Sequence, residues 1–302
     1  MEKITYLDLP NCYRLSNGDV DVVVTTDVGP RVVRYCLAGG ENVLGEVPGA
    51  SVETPFGEWR PLGGHRLWTA PEAMPRSYVP DNDPVELEVI DDLTILLRQR
   101  PEQSTGVQKE ITVALDAEGS GVRLLHRVVN RNLWDVELAA WALTIMRGGG
   151  QAIIPQEPYG PHPECLLPAR ALVLWPYTNL ADARWSLGPK YIRLATDADA
   201  AEPQKIGVSN RRGWAAYAVD EKLFVKHFRY EEGASYPDMG CNNEVFTAGS
   251  FIEVESLSPL RSLGPGEAAE HVESWHLFGG ASVGAGEEDV ERVVERFELG
   301  VR

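Results

Sequence analysis

The sequence predicts an all-β fold, and three observations carry that prediction. Short runs in which apolar and polar residues alternate recur from Tyr13 to Phe278, the period of a half-buried strand. Turn-forming residues such as Asn17-Gly18, Gly39-Gly40-Glu41-Asn42 and Gly264-Pro265-Gly266-Glu267 separate the runs. A helical period appears at the C-terminal end only, where Val290, Val293, Val294 and Phe297 fall at i, i+3, i+4 and i+7 behind Glu287, Glu288 and Asp289. With 302 residues the chain can bury a large core, and one continuous domain over 1–302 is expected.

In chain order, Tyr13–Leu15 and Val20–Thr25 flank Asn17-Gly18 and read as a hairpin, because Asn-Gly supplies the positive φ values of a type I′ turn. Arg31–Leu37 follows as a strand, and the Gly39–Asn42 turn leads into Val43-Leu44-Gly45. Pro61–Glu72, PLGGHRLWTAPE, has neither period and is predicted as a loop. Its Gly63 and Gly64 let backbone approach a ligand, Trp68 offers a flat apolar face and Arg66 a rigid donor fork, a combination suited to sugars. A glycine turn with a half-buried Trp68 and solvated His65 and Arg66 has the same sequence. Pro75–Pro84 is a second irregular excursion.

Alternation returns in Val85–Val89, Leu93–Arg98, Val107–Leu115 and Val122–Asn130. Val136–Met146, VELAAWALTIM, is apolar at most positions and reads as a central strand buried on both faces. The proline-rich Pro155–Pro168 is predicted as loop, after which Leu172–Tyr177, Tyr191–Ala195, Lys205–Val208, Trp214–Val219, Lys222–Tyr230 and Phe251–Glu255 resume the strand pattern. His271–Phe278 is the last strand, and Glu287–Leu299 is a helix covering a sheet edge or one end of the fold.

The most informative stretch is Cys241–Leu260, CNNEVFTAGSFIEVESLSPL. In a strand, side chains two apart share a face, so Ile252 and Val254 can enter a core while Glu253 and Glu255 line the other surface. The Thr247–Ser250 turn signal folds Asn243 and Glu244 back against them and gathers three acids. Carboxylates so placed raise one another's pKa, as general acids and bases require. An ordinary solvated strand face carries the same pattern.

The formal net charge of −17, with no run of Lys and Arg, argues against nucleic acid or an anionic membrane as partner. No apolar run is long enough to span a bilayer and MEKITYLDLP has no signal-peptide core, so a cytoplasmic protein is expected. Cys12, Cys36, Cys165 and Cys241 have no ligand or disulfide spacing and read as buried thiols. No phosphate loop, dinucleotide fingerprint, nucleophile elbow or zinc-helix motif occurs, so no cofactor and no metal is expected.

The opening hairpin with GPRVVRYCLAGGENVL, the segment GGHRLW, and FIEVESLSPL followed by LGPGEA and HVESWHLF together resemble the galactose mutarotase-like, or aldose 1-epimerase-like, superfamily, nearest a bacterial branch with a GG-H/D-x-x-W segment. The resemblance spans nearly the whole chain and implies a β-supersandwich that binds monosaccharides or glycans. In active mutarotases of that family, a Glu takes the proton from the anomeric hydroxyl while a His protonates the ring oxygen. On that template Glu255 is the base, with Glu253 the other choice. Thr144 stands where the family's histidine is expected, which makes His65 the acid, followed by His227 and His162. Arg66, Trp68, Glu72, Asn243 and Glu244 are the implied substrate-binding residues, joined by Lys226 and His227.

Three functions follow from the resemblance. The first is anomer interconversion. The second is sugar binding or sensing without catalysis, for which Thr144 speaks. The third is lyase or hydrolase action on a uronic-acid glycan, which needs Arg66, Lys205, Lys226 and Arg229 to line the cleft.

Overall fold

The structure, a computed structural model, describes residues 1–200, 202–284 and 286–300. Two large antiparallel sheets face each other. The first has eleven strands: Glu2–Tyr6, Leu9–Ser16, Val20–Thr25, Arg31–Leu37, His65–Ala70, Val136–Met146, Phe251–Leu257, Asn243–Ala248, Gln204–Val208 and Leu172–Leu174 in spatial order, with Arg261–Leu263 flanking Val136–Met146. The second has ten: Glu86–Val89, Thr94–Arg98, Val107–Leu115, Val122–Asn130, Ala268–Gly279, Lys222–Phe228, Trp214–Val219, Gln151–Pro155, Tyr191–Ala195 and Trp185–Leu187. One apolar cluster joins them, with Leu15, Val24, Ile206 and Val254 from the first sheet and Ile111, Val128, Phe224 and Trp275 from the second. The all-β architecture expected from the alternation is therefore the one formed, since each strand sends every second side chain into that shared layer.

Four local expectations need correction. Pro61–Glu72 is not a loop: His65–Ala70 is a fully buried strand paired with both Arg31–Leu37 and Val136–Met146. Its alternation is hidden because both faces are buried and both carry polar residues. Gly63 and Gly64 serve strand packing, since a Cβ on either would meet the Gly45 or Val32 carbonyl oxygen at 2.1 or 2.2 Å. The Asn17-Gly18 turn is not type I′, because a positive φ occurs at Gly18 while the Asn17 side-chain oxygen accepts from the amides of Asp19 and Val20. Cys165 is exposed, in the proline-rich segment before Leu172–Leu174, whereas Cys12, Cys36 and Cys241 are buried.

The C-terminal helix runs Glu287–Arg296 and lies on the outer face of the second sheet, not at an edge. Val290 and Val293 pack with Ile153, Trp214, Leu223 and Val225. Burying such side chains stabilises the helix by roughly 1.5–3 kcal/mol each. Among the described residues no helix is long and apolar enough to cross a membrane.

Candidate functional site

Strand register decides which face each candidate occupies. Residues directly opposite one another in an antiparallel pair point the same way. Arg66 is opposite Leu143, Leu143 opposite Glu255, and Glu255 opposite Glu244. One pleat further, Ile145, Glu253, Phe246 and Lys205 form a parallel row, and Trp68, Trp141 and Leu257 a third. All share the face turned away from the second sheet. His65, Thr144, Val254, Val245 and Ile206 have the other parity and face the second sheet.

The outer face thus holds two cations, each clasped by carboxylates and tryptophans. Arg66 donates from Nη2 to Glu253 Oε1 at 3.0 Å, and its guanidinium lies 4.8 Å from the Trp68 ring and 5.3 Å from that of Trp59. Lys205 Nζ stands 2.8 Å from Glu244 Oε2 and 3.2 Å from Glu255 Oε2, between the rings of Trp141 and Trp175 at 4.7 Å each. Trp141 Nε1 also donates to Glu255 Oε2, at 2.8 Å. Tyr78 closes one side, edge-on to Trp68 and Trp59 and bonded through its hydroxyl to Glu72. Asp238 is half-buried nearby, within the electrostatic reach of Lys205 and Glu244.

Glu244 and Glu255 are fully buried, and burial pushes both carboxyls up while Lys205 pulls against it. Burial works against the Lys205 ammonium, but Glu255 and Glu244 outweigh it and hold its pKa well above the ordinary lysine value. Burial raises Asp238 too, with Lys205 and Glu244 opposing and Glu72 assisting. Several polar atoms in this layer have no hydrogen-bond partner among the described residues: Glu255 Oε1, both Glu244 oxygens, Trp59 Nε1, and Arg66 Nε and Nη1. A buried polar group without a partner costs about 1–3 kcal/mol, so these atoms mark where a polar ligand would be held.

The layer between the sheets contains a second polar cluster. Thr144 Oγ1 donates to His65 Nδ1 at 2.8 Å, His65 Nε2 and His126 Nε2 are 2.6 Å apart, and His126 Nδ1 donates to the His271 carbonyl at 3.0 Å. One hydrogen per contact fixes this order with both rings neutral. Ser256 bridges His271 Nε2 and Glu273 Oε1, while Lys226 and Trp275 donate to the same carboxylate at 2.7 Å each. Burial depresses all three histidines, His271 to about 3. Burial alone would raise Glu273, but Lys226 and the histidines hold it well below the usual range. The donor atoms of His65, His126 and Glu273 lie within 4.8 Å of one another. Nitrogens sharing a tetrahedral zinc stand roughly 3.3 Å apart, so the 2.6 Å His65–His126 contact is a hydrogen bond, not a coordination edge.

Of the residues singled out from sequence, the outer face brings together Arg66, Trp68, Glu72, Glu244, Glu253 and Glu255. It does not include the others. His65 cannot act beside Glu255, because it is 0 % exposed and on the opposite side of its strand. Thr144 shares that inner parity, so the position compared with the family's histidine does not face the acids at all. Asn243 faces inward, donating to the Glu255 carbonyl at 2.7 Å. Lys226 bonds Glu273 and the Val254 carbonyl between the sheets, and His227 contacts the Leu299 carbonyl on the far side of the second sheet. Trp59, Trp141, Trp175, Tyr78 and Asp238 were missed. A tryptophan set among alanines in Ala139–Ala142 was the one available signal.

Two open cavities, about 830 Å³ beside Asp81, Asp83 and Arg100 and about 670 Å³ beside Gln151, Arg184 and Arg193, lie away from both polar clusters.

No protein-family model and no curated protein matches the sequence. Solved structures do. A galactose mutarotase related enzyme from Lactobacillus acidophilus is similar with a TM-score of 0.56 and 11 % identity over 89 % of this chain and 98 % of that one. A galactose mutarotase-like protein from Lactobacillus casei gives 0.52 and 9 % over 89 % and 100 %. The Slr1438 protein from Synechocystis gives 0.55 and 12 % over 92 % and 100 %. The chain has the galactose mutarotase-like fold. At these identities the likeness carries the fold alone.

Proposed function

We propose that the outer face of the first sheet binds a sugar, and that the reaction it performs is anomer interconversion with Glu255 as base. One observation carries this reading. Glu255 has one oxygen fixed by Lys205 and Trp141 and the other without a partner, in a buried, tryptophan-walled layer that also presents the unpartnered Nε and Nη1 of Arg66. A carboxylate so held is oriented and desolvated, and its pKa is raised toward the range where it can take a hydroxyl proton at neutral pH. Sugar hydroxyls are the ligands that satisfy both an open carboxylate oxygen and open guanidinium hydrogens, and tryptophan faces suit the apolar side of the ring.

A second reading, binding without turnover, is favoured by the absence of any histidine from this face. Lyase or hydrolase action on an anionic glycan loses its support. Lys226 lies between the sheets, Arg229 is exposed, and Arg66 and Lys205 are already neutralised by carboxylates.

The test is the relaxation of freshly dissolved α-anomers of hexoses and pentoses, followed by polarimetry, with sugar binding measured by calorimetry. Wild type should accelerate relaxation of at least one sugar. Glu255→Gln should lose about 100-fold or more of that rate, the usual worth of a general base, while still binding the sugar. Binding with no acceleration on any sugar would move the reading to the second form, and no binding at all would remove it.

A further inference from the structure

We propose that the sugar bound on the outer face carries a free amino group on C2, and that Glu244 is the residue that holds its ammonium. The inference rests on the sugar-site reading above and narrows it to one class of substrate.

The outer face buries two cations, Arg66 and Lys205, against three carboxylates, Glu244, Glu253 and Glu255. Hydrogen bonds assign each cation to one acid. Arg66 Nη2 donates to Glu253 Oε1 at 3.0 Å, and Lys205 Nζ donates to Glu255 Oε2 at 3.2 Å. Glu244 is left over. Lys205 Nζ stands 2.8 Å from its Oε2 but without the alignment of a hydrogen bond, and neither Glu244 oxygen has a partner among the described residues. Glu72, bonded by the Tyr78 hydroxyl at the exposed edge, adds a further acid and no cation.

The walls around Glu244 supply no partner either. Directly opposite it on the Gln204–Val208 strand is Gly207, which has no side chain. A Cβ there would meet Cys241 Sγ at 2.5 Å and the Trp175 ring at 3.3 Å, so a thiol and an indole close in on that side. A fully buried carboxylate with no hydrogen bond and only a share of one ammonium is costly. Burial accordingly pushes its pKa up against the pull of Lys205.

Hydroxyl groups would satisfy the lone pairs of Glu244 and leave the charges unbalanced. An ammonium supplies both what the lone pairs need and the missing positive charge. The layer already accommodates one such group, since Lys205 Nζ lies between the rings of Trp141 and Trp175 at 4.7 Å each, a setting of aromatic faces and acids that suits cations. A divalent metal fits less well. Calcium takes about six to eight oxygen ligands, and among the described residues no third acid, histidine or cysteine converges on Glu244 and Glu255 as a ligand would.

Strand register sets the position of the amine. Glu244 and Glu255 stand directly opposite each other, with Cβ atoms about 5 Å apart, and the open oxygen of Glu255 is the one assigned to the anomeric hydroxyl. A group held by Glu244 is therefore attached close to C1. In an aldopyranose the atoms bonded to C1 within the ring are the ring oxygen and C2, and of these C2 carries the substituent that can be nitrogen. The substrate class is the 2-amino-2-deoxy aldoses with the amine free, because N-acetylation removes the charge that Glu244 lacks.

The test is calorimetric binding at pH 7 of glucosamine and galactosamine beside glucose, galactose and N-acetylglucosamine. Wild type should bind each amino sugar about 10-fold or more tightly than its parent, as a hydrogen bond to a buried charge provides, and N-acetylglucosamine should not share the gain. Glu244→Gln keeps the shape of the side chain and removes its charge, and it should bring the ratio of amino-sugar to parent-sugar affinity close to one. Glucose and galactose binding wild type as tightly as their amino derivatives would overturn the inference and leave the sugar reading standing. An unchanged ratio in Glu244→Gln would overturn the role of Glu244. Binding of no sugar of either kind would remove the sugar reading and this inference together. The wild-type panel decides between neutral and amino sugars by itself should the variant not fold.

Discussion

At the scale of single residues, Lys205 decides what the outer face can be. It is the ammonium that two fully buried carboxylates share, and without it both would be left unpaired in a low-dielectric layer. Removing one member of a buried ion pair typically costs about 3–5 kcal/mol. Lys205→Met should therefore lose stability of that order in urea denaturation at pH 7. The loss should shrink at pH 5, because Glu244 and Glu255, whose folded-state pKa values are raised, take up protons more readily there. A cost below about 1 kcal/mol at both pH values would contradict the pairing. The sequence made Glu253 and Glu255 conspicuous by their alternation with Ile252 and Val254, and it fixed their common face. It could not show that Lys205 and Trp141, far apart along the chain, would meet one of those carboxylates, since a lone lysine in a strand reads as solvated. His65 was drawn to the wrong side for a related reason. It is adjacent to Arg66, and adjacency in a strand means opposite faces, a rule that applies only once the segment is known to be a strand.

At the scale of elements, the His65–Ala70 strand is the hinge of the architecture, for it carries one polar cluster on each face. Arg66 and Trp68 serve the outer layer and His65 the inner one, and Val136–Met146 repeats the division with Trp141 outside and Thr144 inside. The two layers can thus be separated by substitution within one strand. Thr144→Val removes the hydroxyl that donates to His65 Nδ1 and leaves that nitrogen buried without a donor, at a cost of about 1–3 kcal/mol. Sugar binding and anomer relaxation should be unchanged. A Thr144→Val protein of full stability but altered sugar kinetics would instead put Thr144 at the chemistry. Strands with one solvated face were legible because their alternation is visible. The buried strand at His65 was not, since both of its faces bury polar side chains against partners that lie elsewhere in the sequence.

At the scale of the whole molecule, the two sheets enclose three neutral histidines and the Lys226–Glu273 ion pair, and these shape how stability depends on pH. The architecture was open to prediction, because so many strand-like segments and a single helical one leave few other ways to bury a core. The polar interior was not, because His126, His271 and Glu273 look like ordinary outward positions until the second sheet is covered. Burial holds each histidine below the ordinary value of about 6.5. The unfolded chain therefore binds more protons than the folded one below that pH, and stability falls on acidification at about 1.4 kcal/mol per pH unit for each group. For His271 the loss continues down to its folded value of about 3. Glu244 and Glu255 act the other way between about 4.5 and their raised folded values, where the folded state binds the extra protons and gains stability as pH drops. Below about 4.5 that compensation ends, and Glu273, held ionised in the fold, joins the histidines in favouring the unfolded chain. Stability should therefore fall less steeply above about pH 4.5, where the raised acids offset part of the histidine loss, than below it. Urea denaturation at pH 7, 5.5, 4.5 and 4 reads this directly, and His271→Gln should flatten the lower limb by about 1.4 kcal/mol per pH unit. An equal slope in wild type and His271→Gln between pH 4.5 and 4 would mean that the ring is not held neutral in the folded protein.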